Sequence, residues 1–195
     1  MPVAYRAEEK ESQMINVTYP QMVSFIVILW VIIRAFVIIK KSEFNIKHEA
    51  KLLTVLICFV VISRMVYFPL HHVNGHIGVL KFDASRILPF RMNLNPLVCV
   101  DERYDGWEVN IIGNIAMFIP VGIFWPMCFK KLNNIWKVVL AGGGLSLFIE
   151  ISQLLFYDRC SDIDDLMLNT AGVLIGAIFY FAVGSLVKLI KKKHS

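Results

Sequence analysis

Five long and continuous apolar stretches constrain this chain more than any other feature of its sequence. They cover about Met22–Ile39, Leu52–Leu70, Ile111–Phe129, Trp136–Phe156 and Leu168–Ile190. Each stretch is close to the roughly 20 residues that a helix needs to cross a bilayer, and each is too long for one β-strand. Inside a bilayer no water binds the backbone, so a spanning segment has to form a helix. The sequence therefore predicts an all-α, polytopic membrane bundle of about five transmembrane helices.

Composition supports the same class of protein and argues against others. Of the 195 residues, 57% are apolar and 18% are charged, whereas soluble domains have about 45–50% and about 25%. These values disfavour a soluble enzyme, a disordered tail and a disulfide-rich scaffold. Residues 1–21 are predicted to form a polar N-terminal segment, and residues 22–195 one membrane domain. No small-residue cleavage pattern follows the first apolar stretch, so we expect it to be an uncleaved anchor and not a signal peptide.

Basic residues mark one end of the predicted spans more strongly than the other. The richer end carries Lys40, Lys41, Lys47, Lys51, Lys130, Lys131, Lys137, Lys188, Lys191, Lys192 and Lys193. Because such residues in short connections favour the cytoplasmic side, the N-terminus is predicted outside and the C-terminus in the cytoplasm. The lysines also explain the net charge of +5, so we expect no nucleic-acid partner. Arg34 lies about 9 Å along the helix from Lys40 and is predicted to snorkel to the cytoplasmic interface.

This orientation brings the polar residues of four spans to the outer face of the membrane. They are Arg64 in the second span, Asn110 and Asn114 in the third, Glu150 and Gln153 in the fourth, and Asn169 and Thr170 in the fifth. Residues three or four apart share one helix face, which applies to both the Asn110–Asn114 and the Glu150–Gln153 pair. Ionisable groups within spans usually face a bundle interior or cavity and are often paired. We therefore expect Arg64 and Glu150 to be partners.

The densest polar patch precedes the fifth span, with the sequence Asp158-Arg159-Cys160-Ser161-Asp162-Ile163-Asp164-Asp165. One interpretation is structural, because Asp162 can cap the fifth helix and the following acids offset its dipole. A second is a phosphate-facing pocket in which Arg159 and Arg86 bind an anion. A third is a divalent cation held by Glu150 and the aspartates. No metal-loop spacing supports that third interpretation, so neither a metal nor another cofactor is expected.

Cysteines and glycines add two structural hypotheses. Cys99 and Cys160 are both predicted outside, where oxidation is possible, and whether they form a disulfide is left open. Gly172 and Gly176 lie four residues apart, and residues 142–144 are consecutive glycines. Such small residues allow helices to approach closely inside a membrane bundle.

Several motifs, in order along the chain, resemble the VanZ-like family. They are Asn93-Leu-Asn-Pro-Leu97, with leucine where the family usually has phenylalanine, Asn110-Ile-Ile-Gly-Asn114 followed by Phe118-Ile-Pro-Val-Gly122, Glu150-Ile-Ser-Gln153, and the stretch Arg159–Gly176. The resemblance covers about residues 86–180. It implies an integral protein of the bacterial cell membrane, in a group named for low-level teicoplanin resistance. It implies no particular reaction.

The leading functional hypothesis is binding of a cell-envelope component in an outward-facing polar pocket. The ligand would be a lipid head group, a lipid-linked cell-wall precursor, or a lipoglycopeptide with its acyl chain in the bilayer. The predicted ligand-binding residues are Arg64, Arg86, Asn95, Asn114, Glu150, Gln153, Arg159, Asp165 and Asn169. The arginines would contact anionic groups, the asparagines would orient the pocket, and the carboxylates would organise the arginines.

Two other functions remain open. In the first, the protein is a membrane enzyme that modifies a lipid or a lipid-linked precursor. Glu150 would be the general base, and Asp162, Asp164 or Asp165 would be the acid or a metal ligand. In the second, it is a small transporter, which with only five spans would require homo-oligomerisation. The Gly172/Gly176 face is one candidate surface for that contact.

Overall fold

A computed structural model describes residues 15–41, 44–68, 77–82, 91–96, 107–157 and 159–193. The elements in chain order are β1 Ile15–Val17, α1 Tyr19–Lys41, α2 Ile46–Tyr67, β2 Leu80–Phe82, β3 Met92–Asn93, α3 Trp107–Cys128, α4 Ile135–Gln153, β4 Ser161–Asp162 and α5 Ile163–Lys193. All five helices in this part of the chain are long and apolar enough to cross a membrane. The predicted all-α membrane bundle is therefore confirmed.

Helix boundaries differ from the apolar stretches where polar residues begin a helix. The last helix begins at Ile163 instead of Leu168, because the Asp162 carboxylate accepts the backbone N–H of Asp164 at 2.9 Å and so satisfies a donor in its first turn. Similarly, α2 begins at Ile46 because the Asn45 side chain caps it. Hydropathy detects only the lipid-embedded part of a helix, so it misses these polar first turns.

The interface between α3 and α5 is the most extensive in the bundle, with α4 packed on α5 and α2 on α3. Their shared core consists of Ile62, Val66, Phe118, Val121, Val138, Ile149, Val173 and Ala177. Within α1, whose residues are all described, none is buried. This helix packs only on the outside of the bundle, and its apolar side chains are left to face lipid.

Glycines bring α3 and α5 into backbone contact. A Cβ atom on Gly172 would lie 2.2 Å from the carbonyl oxygen of Ile115, and one on Gly176 would lie 2.2 Å from that of Ile119. Across the interface, a Cβ atom on Gly122 of α3 would lie 2.3 Å from the carbonyl oxygen of Val173 in α5. The predicted close approach is therefore present. It occurs within one chain, so the Gly172/Gly176 face packs inside the bundle. Association between copies of the chain stays a prediction.

Short strands join the connections at one end of the bundle. Strand β1 precedes α1 and pairs antiparallel with β2, which follows α2, with Ile15 opposite Phe82. Strand β3 pairs in parallel with β4, with Asn93 opposite Asp162. The start of α1, the connection that follows α2 and the connection before α5 therefore meet at this end, which we call the strand end. The lysine-rich connections lie at the other end. Which end faces the cytoplasm stays a prediction.

An ion pair links α1 to α2 near the lysine-rich end. The Nε and Nη2 atoms of Arg34 donate to the two carboxylate oxygens of Glu49, at 2.9 and 2.5 Å. This bidentate geometry is the strongest arrangement of an arginine and a carboxylate. The expectation that Arg34 only snorkels to the interface missed this partner, because Glu49 lies in the first turn of α2, outside the apolar stretch.

Candidate functional site

A polar cavity of about 180 Å³ opens at the strand end, where α2, α3, α4 and α5 meet. It is lined by Met65, Val66, Asn110, Asn114, Glu150, Gln153, Arg159, Cys160, Asp165 and Asn169. Six of the nine predicted ligand-binding residues are in this lining: Asn114, Glu150, Gln153, Arg159, Asp165 and Asn169. Helical spacing within α3 and α4 directs each polar pair to one side. The packing of both helices on α5 brings those sides together.

Glu150 organises the entry of the chain into α5. It is buried, with 3% of its surface exposed, and its Oε2 accepts the backbone N–H of Asp162 at 2.8 Å. The Asp162 carboxylate in turn caps α5 through Asp164 and accepts the side-chain amide of Asn93 at 3.2 Å. The structural interpretation of Asp162 as a helix cap therefore describes its geometry, and Glu150 holds that cap against the end of α4.

Asparagine side chains connect α3 to α5 across the cavity. The Nδ2 atom of Asn114 donates to Oδ1 of Asp165 at 2.6 Å and to Oδ1 of Asn110 at 3.2 Å. Asn114 is 5% exposed. A buried amide of this kind is stable only when its donors are satisfied, so the Asp165 carboxylate has a structural partner as well as a position in the cavity wall.

Two buried amide oxygens in the lining, Gln153 Oε1 and Asn169 Oδ1, have no hydrogen-bond partner among the described residues. The nitrogen of each amide is engaged: Gln153 Nε2 donates to the Val66 carbonyl oxygen at 3.4 Å, and Asn169 Nδ2 to Ser146 Oγ at 2.9 Å. Leaving a buried acceptor unpaired costs roughly 1–3 kcal/mol. A bound molecule that donates hydrogen bonds would satisfy both oxygens.

Arg159 forms the wall of the cavity next to the end of α2. Its Nε donates to the backbone carbonyl of Tyr67 at 3.2 Å, and the Tyr67 hydroxyl forms a hydrogen bond with Ser152 of α4. The first contact attaches the connection before α5 to the end of α2, and the second links α2 to α4. Arg159 therefore helps to shape the cavity as well as to line it.

Other predicted residues lie elsewhere. Arg64 donates to the carbonyl of Phe68 at 3.1 Å, and its guanidinium lies 5.9 Å from the ring centroid of Tyr19. It does not line the cavity that contains Glu150, so the expected pairing of these two residues is not the arrangement found. The reason is rotational: Met65 and Val66 of α2 face the cavity, and Arg64 on the same turn faces α1.

Asn95, the asparagine predicted from the Asn93–Leu97 motif, also lies outside the lining of the cavity. Asn95 is exposed, and its backbone N–H donates to Oδ1 of Asn93 at 3.2 Å. Asn93 is the residue of this motif that contacts Asp162, and the predicted site named Asn95 instead. Arg86 and Cys99 lie outside the described residues, so their predicted roles, including the disulfide, stay predictions.

Cys160 and Asn110 are lining residues absent from the predicted site. The Cys160 thiol donates to the backbone carbonyl of Arg91 at 3.3 Å. Partial burial, helped by the nearby Asp162 carboxylate, raises the pKa of this thiol, so at neutral pH it is a protonated donor and a poor nucleophile. The four-residue spacing of Asn110 from Asn114 was a sequence signal that could have predicted Asn110 as a lining residue.

Within the described part of the chain, no group of three or more His, Cys, Asp or Glu side chains is placed to hold a metal ion.

Comparison with known proteins finds a family resemblance over most of the membrane domain. A family model described as VanZ/LLP1 matches residues 22–187, which extends the resemblance found at residues 86–180 to the first two spans. The protein named "Protein VanZ" from Enterococcus faecium is 30% identical over 89 residues, which are 46% of this chain and 52% of that protein. The chain thus spans about half the length of this curated relative. No solved structure matches. Because the family model covers well over half of its length, the chain belongs to the VanZ/LLP1 family.

Proposed function

We propose that this membrane protein contributes to teicoplanin-type glycopeptide resistance by binding a lipid or cell-wall component of the bacterial envelope in its polar cavity. The observation that carries the proposal is the cavity itself, to which four helices contribute side chains. Membership of the VanZ/LLP1 family supports the connection with glycopeptides. The predicted orientation opens the cavity to the outer face, where cell-wall precursors and lipoglycopeptides are present.

Binding explains the cavity better than a purely structural role. Several polar contacts do hold the bundle together, among them those from Asn114 to Asp165 and from Glu150 to Asp162. A network that served only to stabilise the fold would satisfy its buried members, because unpaired groups are costly in a membrane. The unpaired oxygens of Gln153 and Asn169 favour a site that is completed by a ligand.

Conservative charge removal in the cavity tests this proposal. The chain, expressed in a teicoplanin-susceptible bacterium, should raise the minimum inhibitory concentration of teicoplanin. Glu150→Gln and Asp165→Asn should abolish that increase at equal membrane abundance, because each retains an acceptor oxygen for its neighbour and loses the charge. Glu108→Gln, which changes an exposed carboxylate in the first turn of α3, is the matched control and should protect like the parent.

Two results would contradict the proposal. If the parent chain gave no protection, the connection with teicoplanin would be wrong. If the parent and both cavity variants protected equally, the cavity would not be the functional site.

A membrane enzyme is the second candidate, favoured by the presence of Glu150 and Asp165 in one cavity. Glu150 would act as the general base and Asp165 as the acid. Asp162 and Asp164 are less suited, because the first caps α5 and the second lies outside the lining. Mass spectrometry of envelope lipids separates the two candidates: a lipid product that disappears in both a deletion strain and a Glu150→Gln strain favours catalysis, and unchanged lipids favour binding.

A further inference from the structure

We propose that the cavity binds its ligand through a primary ammonium group. This inference rests on the binding function proposed above and specifies the chemistry of the ligand. It departs from the expectation drawn from the sequence, in which the arginines bind an anionic group.

The lining of the cavity is rich in hydrogen-bond acceptors and contains two carboxyl groups for one cation. Its ionisable groups, apart from the Cys160 thiol, are the carboxylates of Glu150 and Asp165 and, as the one cation among the described lining residues, Arg159. A positively charged ligand would favour ionisation of both carboxylates, and the lining would then carry one negative charge beyond the charge of Arg159. Glu150 accepts the backbone N–H of Asp162 and forms a hydrogen bond with the Ser161 side chain. Asp165 accepts the side-chain amide of Asn114 and forms a hydrogen bond with the Asn110 side chain. These partners are all neutral. A single cationic group on the ligand would balance the charge.

Gln153 adds a neutral acceptor whose orientation is determined by its surroundings. Its amide nitrogen points to the backbone carbonyl of Val66, and a carbonyl oxygen can only accept hydrogen bonds. The amide therefore cannot be turned around, and its Oε1 has to be the unpaired group. At 4% exposure, Gln153 is buried, so a donor supplied by a molecule in the cavity would stabilise this oxygen. The Asn169 Oδ1, at 1% residue exposure, is a second acceptor of this kind.

A primary ammonium fits this set of acceptors better than other groups do. It carries one positive charge and three N–H donors with no acceptor, which matches carboxylate and amide oxygens. A quaternary ammonium has no N–H donor and is usually bound by aromatic cages, and no described lining residue is aromatic. An anionic head group would meet two carboxylates. The cavity, at about 180 Å³, is sized for a small amine and not for a whole lipid.

Lipid-selectivity measurements on the full chain test the inference. Dissociation constants are measured by native mass spectrometry for phosphatidylethanolamine, phosphatidylcholine and phosphatidylglycerol with identical acyl chains. Phosphatidylethanolamine should bind about tenfold more tightly than the other two, because only it offers charged N–H donors to the cavity. Equal binding of the three lipids, tighter binding of phosphatidylglycerol, or no binding of any of them would overturn the inference.

Three variants locate the selectivity within the cavity. Glu150→Gln keeps an acceptor for Asp162 and should lose the preference of about tenfold. Gln153→Met keeps the side-chain length, removes the unpaired oxygen and should weaken the preference as well. Glu108→Gln should retain it. A preference that survives both cavity variants would place ammonium recognition elsewhere and overturn the inference.

A water-soluble probe distinguishes the source of the ammonium group. If N-acetyl-lysine methylamide competes with phosphatidylethanolamine for binding to the parent chain and not to Glu150→Gln, the cavity binds peptide amines as well as lipids. If only the lipid binds, its head group is the source. Both results support ammonium recognition. If ammonium selectivity is missing while Glu150→Gln still abolishes teicoplanin protection, this inference fails and the proposed function stands. If ammonium selectivity is present and the chain gives no protection against teicoplanin, this inference stands and the proposed function fails.

Discussion

Asp162 illustrates at the residue scale how one carboxylate joins several parts of the fold. One of its oxygens accepts the N–H of Asp164 in the first turn of α5, and the other accepts the amide of Asn93 from a strand 69 residues earlier. Its own backbone N–H is held by Glu150. The same residue thus begins a helix, docks the Asn93–Leu97 motif and positions a cavity carboxylate. This geometry also makes Asp162 a weaker candidate for the catalytic acid of the enzyme hypothesis.

Replacement of Asp162 should separate these roles. Asp162→Ala removes the cap and the contact with Asn93, and should lower the free energy of unfolding by about 1–2 kcal/mol. Asp162→Asn keeps one oxygen that can cap the helix and loses the acceptor for the Asn93 amide, so its loss of stability should be smaller than that of Asp162→Ala. Thermal unfolding in detergent, followed by circular dichroism, measures both. An alanine variant as stable as the parent would show that the cap contributes nothing.

At the scale of elements, the contact of α3 with α5 determines which residues face the cavity. Gly122, Gly172 and Gly176 let the two backbones touch, which sets the rotation of each helix about its axis. That rotation points Asn114 at Asp165. The apolar stretches predict that these helices exist, because their length and composition are local properties. They do not predict the rotation, which depends on packing against a distant helix.

Glycine replacement tests the importance of this contact. Gly176→Ala should lower the free energy of unfolding by about 1–3 kcal/mol or more, because its new methyl group meets a backbone carbonyl that cannot move aside. Gly144→Ala is the matched control, since a Cβ there meets nothing within 4 Å. That control should be neutral or slightly stabilising, because alanine is the better helix former. Equal stabilities for the two variants in a denaturant titration would contradict the close packing.

For the whole molecule, the two ends of the bundle differ in chemistry. The strand end holds the cavity, and the opposite end holds the lysines and the Arg34–Glu49 ion pair. Pairing of β1 with β2 places the start of α1 and the connection after α2 at the same end. The bundle therefore has one polar, structured face and one basic face, which is the division that the predicted orientation assigns to the outside and the cytoplasm.

Cysteine labelling tests this orientation. Cys160 lies at the strand end and is exposed, so a membrane-impermeant maleimide should label it in intact cells of a Cys99→Ser variant. Because its pKa is raised, the thiolate fraction and the labelling rate should increase as the pH is raised above neutral. A cysteine introduced by Lys131→Cys at the opposite end, with Cys160→Ser, should react only after lysis. The opposite labelling pattern would reverse the predicted topology.

The sequence by itself determined that the chain forms five membrane helices and that their polar residues gather towards one end. Both properties follow from local quantities: the length of each apolar stretch, the helical repeat and the positions of polar residues along it. Only the tertiary structure decided which of these residues share a cavity. Arg64 was excluded and Asn93 brought into contact with Asp162, because helix rotation and the pairing of β3 with β4 depend on contacts between segments far apart in the chain.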